Sequence, residues 1–187
     1  MISVNDIKNG MTVEDEGGIF QVLDFQHVKP GKGAAFVKVR ARSQKTGNSR
    51  EYNYKSGDRL EDVQIFEKEA TYSYKQGDEY VFMDSETFEQ YNVPAELCED
   101  IEHFVLEGGE CTIYIYEDAV LSVAAPNFVT LKVIEANPGL KGDTATKATK
   151  PVKLETGYEI NVPLFIEEGN VLKIDTRTGD YLERVKG

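Results

Sequence analysis

GGIFQVLDFQHVKPGKGAAFVKVRARS, residues 17–43, alternates where a strand is needed and breaks where a turn is needed. In its second half Val37, Val39 and Ala41 fall on one face and Phe36, Lys38, Arg40 and Arg42 on the other, the period of two of a half-buried strand. GGIFQVLDFQHVK reads as its partner strand and PGKGA as the connection, so the stretch predicts a hairpin with a basic outer face headed by an aromatic. Working outward, 16 glycines, ten tyrosines, nine phenylalanines and many short Val/Ile-rich runs between turn signals make the whole chain all-β. VPAELCEDIEHFVL, 93–106, is the exception. Pro94 suits a first helical position, acids crowd the first turns, and Leu97, Ile101 and Phe104 recur at helical spacing, which predicts one short helix.

The 187 residues carry a formal charge of -12, unevenly spread. Residues 1–63 sum to +1, 64–128 to -13 and 129–187 to 0, so the acidity belongs to the middle third. A repeat marks similar units. SETFEQYNVP, 85–94, aligns with LETGYEINVP, 154–163, at an offset of 69 with five identities, at Glu86/Glu155, Thr87/Thr156, Asn92/Asn161, Val93/Val162 and Pro94/Pro163. Coincidence is the competing reading; taken as genuine, the match means two copies of one small β domain behind a different first domain. Units this small bury little surface singly, and closed barrels suit them because closure removes exposed edges.

From Phe25 to Arg50 there are seven Lys or Arg and no acid. Solvated strand faces usually mix signs, so a single-sign stripe points toward RNA or phosphate. Lys32 stands between Gly31 and Gly33, and Pro30 stiffens the ascending limb, which predicts an ammonium at the hairpin apex in water. No Ser or Thr follows it, so a P-loop is excluded. An exposed tip lacks the burial that activates a Schiff-base lysine. Two readings stay open, an ordinary turn lysine and a lysine presented to a modifying enzyme or a partner's pocket.

Other chemistry is thin. Cys98 and Cys111, too few for a disulfide framework, read as small buried hydrophobes. Cys98 and His103, five apart on the predicted helix, share no face, so no metal is expected. With no nucleophile elbow either, the chain is not expected to be an enzyme. No apolar run approaches membrane-spanning length, and the N-terminus lacks the basic start and apolar core of an export signal, so a cytoplasmic location without membrane contact is expected.

Several of these stretches together resemble the bacterial elongation factor P family, over essentially the whole chain. PGKG, Pro30 to Gly33, is similar to that family's functional loop, and KPVKLETGYEINVPLFIEEG, 150–169, to its third-domain signature. YVFMDSETFEQ, 80–90, looks like the second-domain strand pair, and Gly142, Asp143 and Thr144 resemble the loop placed near the E-site codon of the mRNA. The resemblance implies an SH3-like, KOW-type barrel over 1–63, an acidic OB-type barrel over 64–128 and a C-terminal OB-type barrel over 129–187, in an L-shaped arrangement similar to tRNA. It implies a monomer that binds the ribosome between the P and E sites, beside the P-site tRNA, and stimulates peptide bond formation at consecutive prolines. Lys32 is then the residue that many members modify, which requires a modifying enzyme but no dissociable cofactor. Lys29, Lys38, Arg40 and Arg42 are expected to meet tRNA or rRNA phosphates, with Tyr181 and Arg184 as further RNA candidates, while the acidic barrel is expected to face a basic ribosomal protein or solvent. A paralogue of the family, a carrier domain with a cofactor on Lys32 and a generic OB-fold RNA binder are the alternatives.

Overall fold

The computed structural model describes residues 1–138 and 148–186. Their regular structure is nearly all strand, arranged as three curled sheets that follow one another along the chain, as the all-β reading requires.

The first sheet contains β1 (Ile2–Ser3), β2 (Thr12–Asp15), β3 (Gly18–Val28), β4 (Phe36–Ser43), β5 (Ser49–Lys55) and β6 (Arg59–Asp62), in the order β1-β6-β2-β3-β4-β5. Its long hairpin runs from the Phe20–Ser43 pair out to Val28–Phe36, with one register irregularity between Val22 and Asp24 that increases the local twist. Val37, Val39 and Ala41 are buried with Val13, Phe20 and Val22, so the alternation predicted for β4 is the alternation observed. Burying a Val side chain contributes about 1.5–3 kcal/mol, and a one-residue slip would expose all three, which holds the register.

The second sheet contains β7 (Phe66–Gln76), β8 (Glu79–Asp84), β9 (Gln90–Pro94), β10 (Glu110–Tyr116) and β11 (Ala119–Ala124), ordered β11-β10-β7-β8-β9. Between β9 and β10 lies helix α1 (Glu99–Phe104), which buries Ile101 and Phe104 and places Glu99, Asp100 and Glu102 at its electropositive start. The predicted helix is present but begins later. Pro94 ends β9, and a 3-10 turn over Ala95–Leu97 comes before α1, because proline's fixed φ of -56° serves an extended exit as well as a helical entry.

The third sheet contains β12 (Phe128–Ala136), β13 (Thr149–Leu154), β14 (Glu159–Pro163), β15 (Val171–Asp175) and β16 (Asp180–Val185), ordered β14-β13-β12-β15-β16. This is the topology of the second sheet again, with the first strand central, the next two on one side and the last two on the other. β9 and β14 occupy the same five columns of the aligned decapeptides, so the repeat is architectural. The third sheet has no helix at the place of α1. Residues 164–170 make the connection, with Ile166 buried in it, and the edge strands β14 and β16 come back into contact.

By compactness the chain forms two units, Met1–Phe66 with Tyr114–Ser122, and Glu67–Ile113 with Val123–Gly187. Within the first, the Tyr116 hydroxyl donates to Glu14 Oε2 at 3.0 Å. Within the second, Thr156 Oγ1 donates to the His103 carbonyl at 2.7 Å and the His103 ring stacks on Tyr158 at 4.0 Å. Among the described residues no helix is long and apolar enough to cross a membrane.

Candidate nucleic-acid interface

The hairpin β3–β4 positions the candidate residues. Beyond the Val28–Phe36 pair the ladder ends, and Lys29, Pro30, Gly31, Lys32 and Gly33 form an exposed loop. Among the described residues Lys32 has no hydrogen bond or ion pair, so its ammonium is in water as expected. The two flanking glycines do different work. Gly33 has φ of +116°, a conformation closed to ordinary side chains, and a Cβ there would stand 3.7 Å from Pro30 Cγ. Gly31 has open space and no such φ. Where the loop rejoins the sheet it is anchored, because the Ser56 N–H donates to the Ala35 carbonyl at 3.0 Å and the Lys55 N–H to Asp58 Oδ2 at 2.8 Å.

Under the face lies an aromatic layer. Tyr52 packs on Phe20 at a centroid distance of 4.9 Å, and the Tyr54 hydroxyl donates to Asp15. Partial burial and then that carboxylate raise the Tyr54 phenol well above its ordinary range, so it stays a donor at any working pH. The β5 strand is thereby held at the sheet edge beside β4.

On the outer face the structure modifies the expectation. Lys38, Arg40 and Arg42 do share it, but Arg40 is paired across the ladder with Asp24 of β3 and Glu51 of β5. Lys38 Nζ makes an ion pair with Glu51 Oε2 at 3.0 Å. The acid-free window of the sequence ends one residue short of an acid on each side, at Asp24 and Glu51, and strand pairing folds both back onto its centre. Asp24, Phe25, Gln26, Lys38, Arg40 and Glu51 line a shallow depression there. A further cation also joins the face, since Lys55 pairs with Phe36 and is exposed. Its signal was available in SREYNYK, where inward Tyr52 and Tyr54 leave Glu51, Asn53 and Lys55 outward. With Lys38, Arg40, Arg42 and Lys55 against Asp24 and Glu51, the face remains net basic in a chain of -12.

Elsewhere, Tyr181 and Arg184 are three apart on β16 and would sit on opposite faces of a regular strand. A bulge pairs them with Ile174 and Leu172, so both share one face of the sheet. Tyr181 is half-buried, and exposed Arg184 reaches over the Phe165 ring at 5.6 Å. Gly142, Asp143 and Thr144 lie outside the described residues. Cys98 and Cys111 are free and buried, and burial pushes each thiol up to about 12, which keeps the nucleophilic thiolate scarce. Among the described residues no cluster of His, Cys, Asp or Glu has the arrangement to hold a metal ion.

Comparison with known proteins agrees with this layout. Three family models match: the elongation factor P KOW-like domain over 3–60, the elongation factor P OB domain over 65–123 and the elongation factor P C-terminal domain over 129–184. The elongation factor P of Natranaerobius thermophilus is 46% identical over 187 residues, covering 100% of both chains. That of Clostridium novyi is 48% identical over 185 residues, covering 99% of this chain and 100% of its own. Among solved structures, a eukaryotic translation initiation factor 5A from Methanococcus jannaschii superposes with a TM-score of 0.49 and 24% identity, covering 65% of this chain and 92% of that one.

Proposed function

The chain belongs to the elongation factor P family of translation elongation factors, and from that premise we propose that it binds the ribosome beside the P-site tRNA and promotes peptide bond formation at consecutive prolines by positioning the peptidyl-tRNA. The observation that carries this reading is Lys32, free in water in the loop that closes the β3–β4 hairpin, whose outer end is held by Tyr54, Ser56 and Asp58 of the flanking β5 edge. The loop of residues 29–35 carries the ammonium beyond the last pair of the ladder, Val28–Phe36, where β5 also ends.

Proline is a conformationally restricted substrate, so a proline-bearing peptidyl-tRNA samples unproductive poses, and restraining it lowers the barrier through orientation alone. No acid, base or nucleophile has to come from the factor. Lys29, Lys38, Arg40, Arg42 and Lys55 neutralise tRNA or rRNA phosphates, giving affinity without base readout. Tyr181 and Arg184 contribute a second RNA contact, and Gly142 to Thr144 approach the E-site codon. A modifying enzyme lengthens the Lys32 side chain, for which the open space around Gly31 leaves a clear approach. The protein acts as a monomer in the cytoplasm.

The test is reconstituted translation of a proline-run reporter with wild-type protein and Lys32→Ala. Wild type is expected to relieve stalling and Lys32→Ala to lose most of that effect. Failure of both sinks the reading, and equal relief by both shows that the tip is dispensable.

A further inference from the structure

We propose that Phe88 is a docking knob, held at the tip of the β8–β9 turn to enter an apolar pocket rimmed by basic side chains on a protein partner. The residue is 69% exposed, and its backbone has φ of 61°, a conformation in which a bulky residue is a genuine outlier. Among the described residues no aromatic ring or cation lies against its ring, so packing within this chain does not account for it.

The repeat supplies the comparison. Gly157 occupies the same column of the aligned decapeptides, two residues before β14 as Phe88 is two residues before β9. Its φ is +90°, and a Cβ there would meet nothing within 4 Å. Both turns therefore require a left-handed backbone at this position. The third sheet meets the requirement with the residue that adopts it freely, whereas the second meets it with a large apolar ring aimed at water.

The ring is also rigidly presented. Asp84 Oδ1 accepts from the Glu86 N–H at 2.8 Å and the Thr87 N–H at 3.1 Å, while the Asp84 carbonyl accepts from the Phe88 N–H at 2.9 Å and the Asp84 N–H donates to the Glu89 carbonyl at 2.8 Å. Lys68 secures the same carboxylate from behind at 2.9 Å. Such a turn presents a side chain with little ordering left to do on binding.

Charge selects the class of partner. Glu86 and Glu89 flank the ring and are exposed, Tyr91 orients Glu89 through a 3.0 Å hydrogen bond, and the nearby Lys68 is engaged with Asp84. A phosphate backbone would be repelled here, whereas an apolar pocket with a lysine or arginine rim is complementary in both respects.

The proposal rests on the ribosome-binding reading for where the partner is found, and the test separates the two. Binding of wild type, Phe88→Gly and Phe88→Leu to purified bacterial ribosomes stalled on a proline run is measured, and a benzophenone side chain at position 88 is photo-cross-linked to the same ribosomes. Phe88→Gly is expected to melt no lower than wild type yet to bind at least about tenfold more weakly, Phe88→Leu to retain most of the affinity, and the cross-link to fall on a ribosomal protein. If wild type binds and Phe88→Gly binds equally, or the cross-link falls on rRNA or nowhere, this proposal alone fails. A lower melting temperature for Phe88→Gly makes the ring structural and also overturns it. If wild type itself does not bind, both readings fall.

Discussion

Lys38 on β4 and Glu51 on β5 form an ion pair of 3.0 Å on a face whose continuous sequence, from residue 25 to 50, holds no acid. Both side chains are largely exposed, so the pair contributes only about 0–1 kcal/mol to stability. Its larger effect is on the local field, since it removes one cation from those free to meet phosphate. Glu51→Gln is therefore expected to leave the melting temperature nearly unchanged and to strengthen binding to tRNA or rRNA a few-fold at low salt. The slope of log affinity against log salt should steepen by about one phosphate contact. Titration of binding at several salt concentrations checks this, and an unchanged slope would remove the face from the interface.

The tip makes a sharper distinction. Gly33 requires its φ of +116°, and Gly31 requires nothing comparable. Alanine at 33 either carries roughly 1–2 kcal/mol of strain or relaxes the loop and moves Lys32. Because misplacement by about 1 Å can reduce a positioning effect by up to about a hundredfold, Gly33→Ala should lower relief of proline stalling at least about tenfold, while Gly31→Ala stays near wild type. The reporter translation assay ranks the two, and the opposite order would mean that the loop geometry is not what matters.

Asp84 provides a pH test. It is buried, takes hydrogen bonds from Lys68, Glu86 and Thr87, and the Lys68 ammonium first, then the two backbone N–H groups, hold its carboxyl well below the usual carboxylate range. A carboxyl whose folded pKa is depressed contributes stability that is fully present above its unfolded value, about 3.9, and is lost as the pH falls through the folded value. Asp84→Asn should therefore melt below wild type at pH 7, and the gap should shrink as the pH drops below about 4. Paired melting curves from pH 7 to pH 2 decide it; a gap that widens on acidification contradicts the assignment.

The two-residue turn between β10 and β11 is Glu117-Asp118, with φ of 49° and 63°. Both central residues are left-handed, as a type I′ hairpin turn demands, but neither is the asparagine or glycine that adopts this conformation readily. Replacing the pair by Asn-Gly should stabilise the protein by about 0.5–2 kcal/mol, raising the melting temperature by a few degrees. A fall instead would show that the acidic side chains contribute more than the backbone strain costs.

Much of this architecture is legible without coordinates. The period of two in FVKVRAR identifies the buried and outer faces of β4, because only one parity of a half-buried strand can leave water. The aligned decapeptides anticipate two sheets of one topology, and acids ahead of Ile101 and Phe104 anticipate the helix. A lysine between two glycines after a proline is enough to place an ammonium in solvent, since nothing local can cover it. These are properties of neighbours along the chain.

Tertiary structure decided what depends on neighbours across it. Asp24 and Glu51 lie on either side of Arg40 at ladder spacing, about 5 Å, although 16 and 11 positions separate them from it in sequence, so charge counted along the chain overstates the bare basic stripe. The same pairing adds Lys55 to the face, and a single bulge turns Tyr181 and Arg184 to one side of β16. That Phe88 and Gly157 require the same left-handed backbone also appears only once the two turns are folded, because φ is set by how the strands close and not by the identity of the side chain.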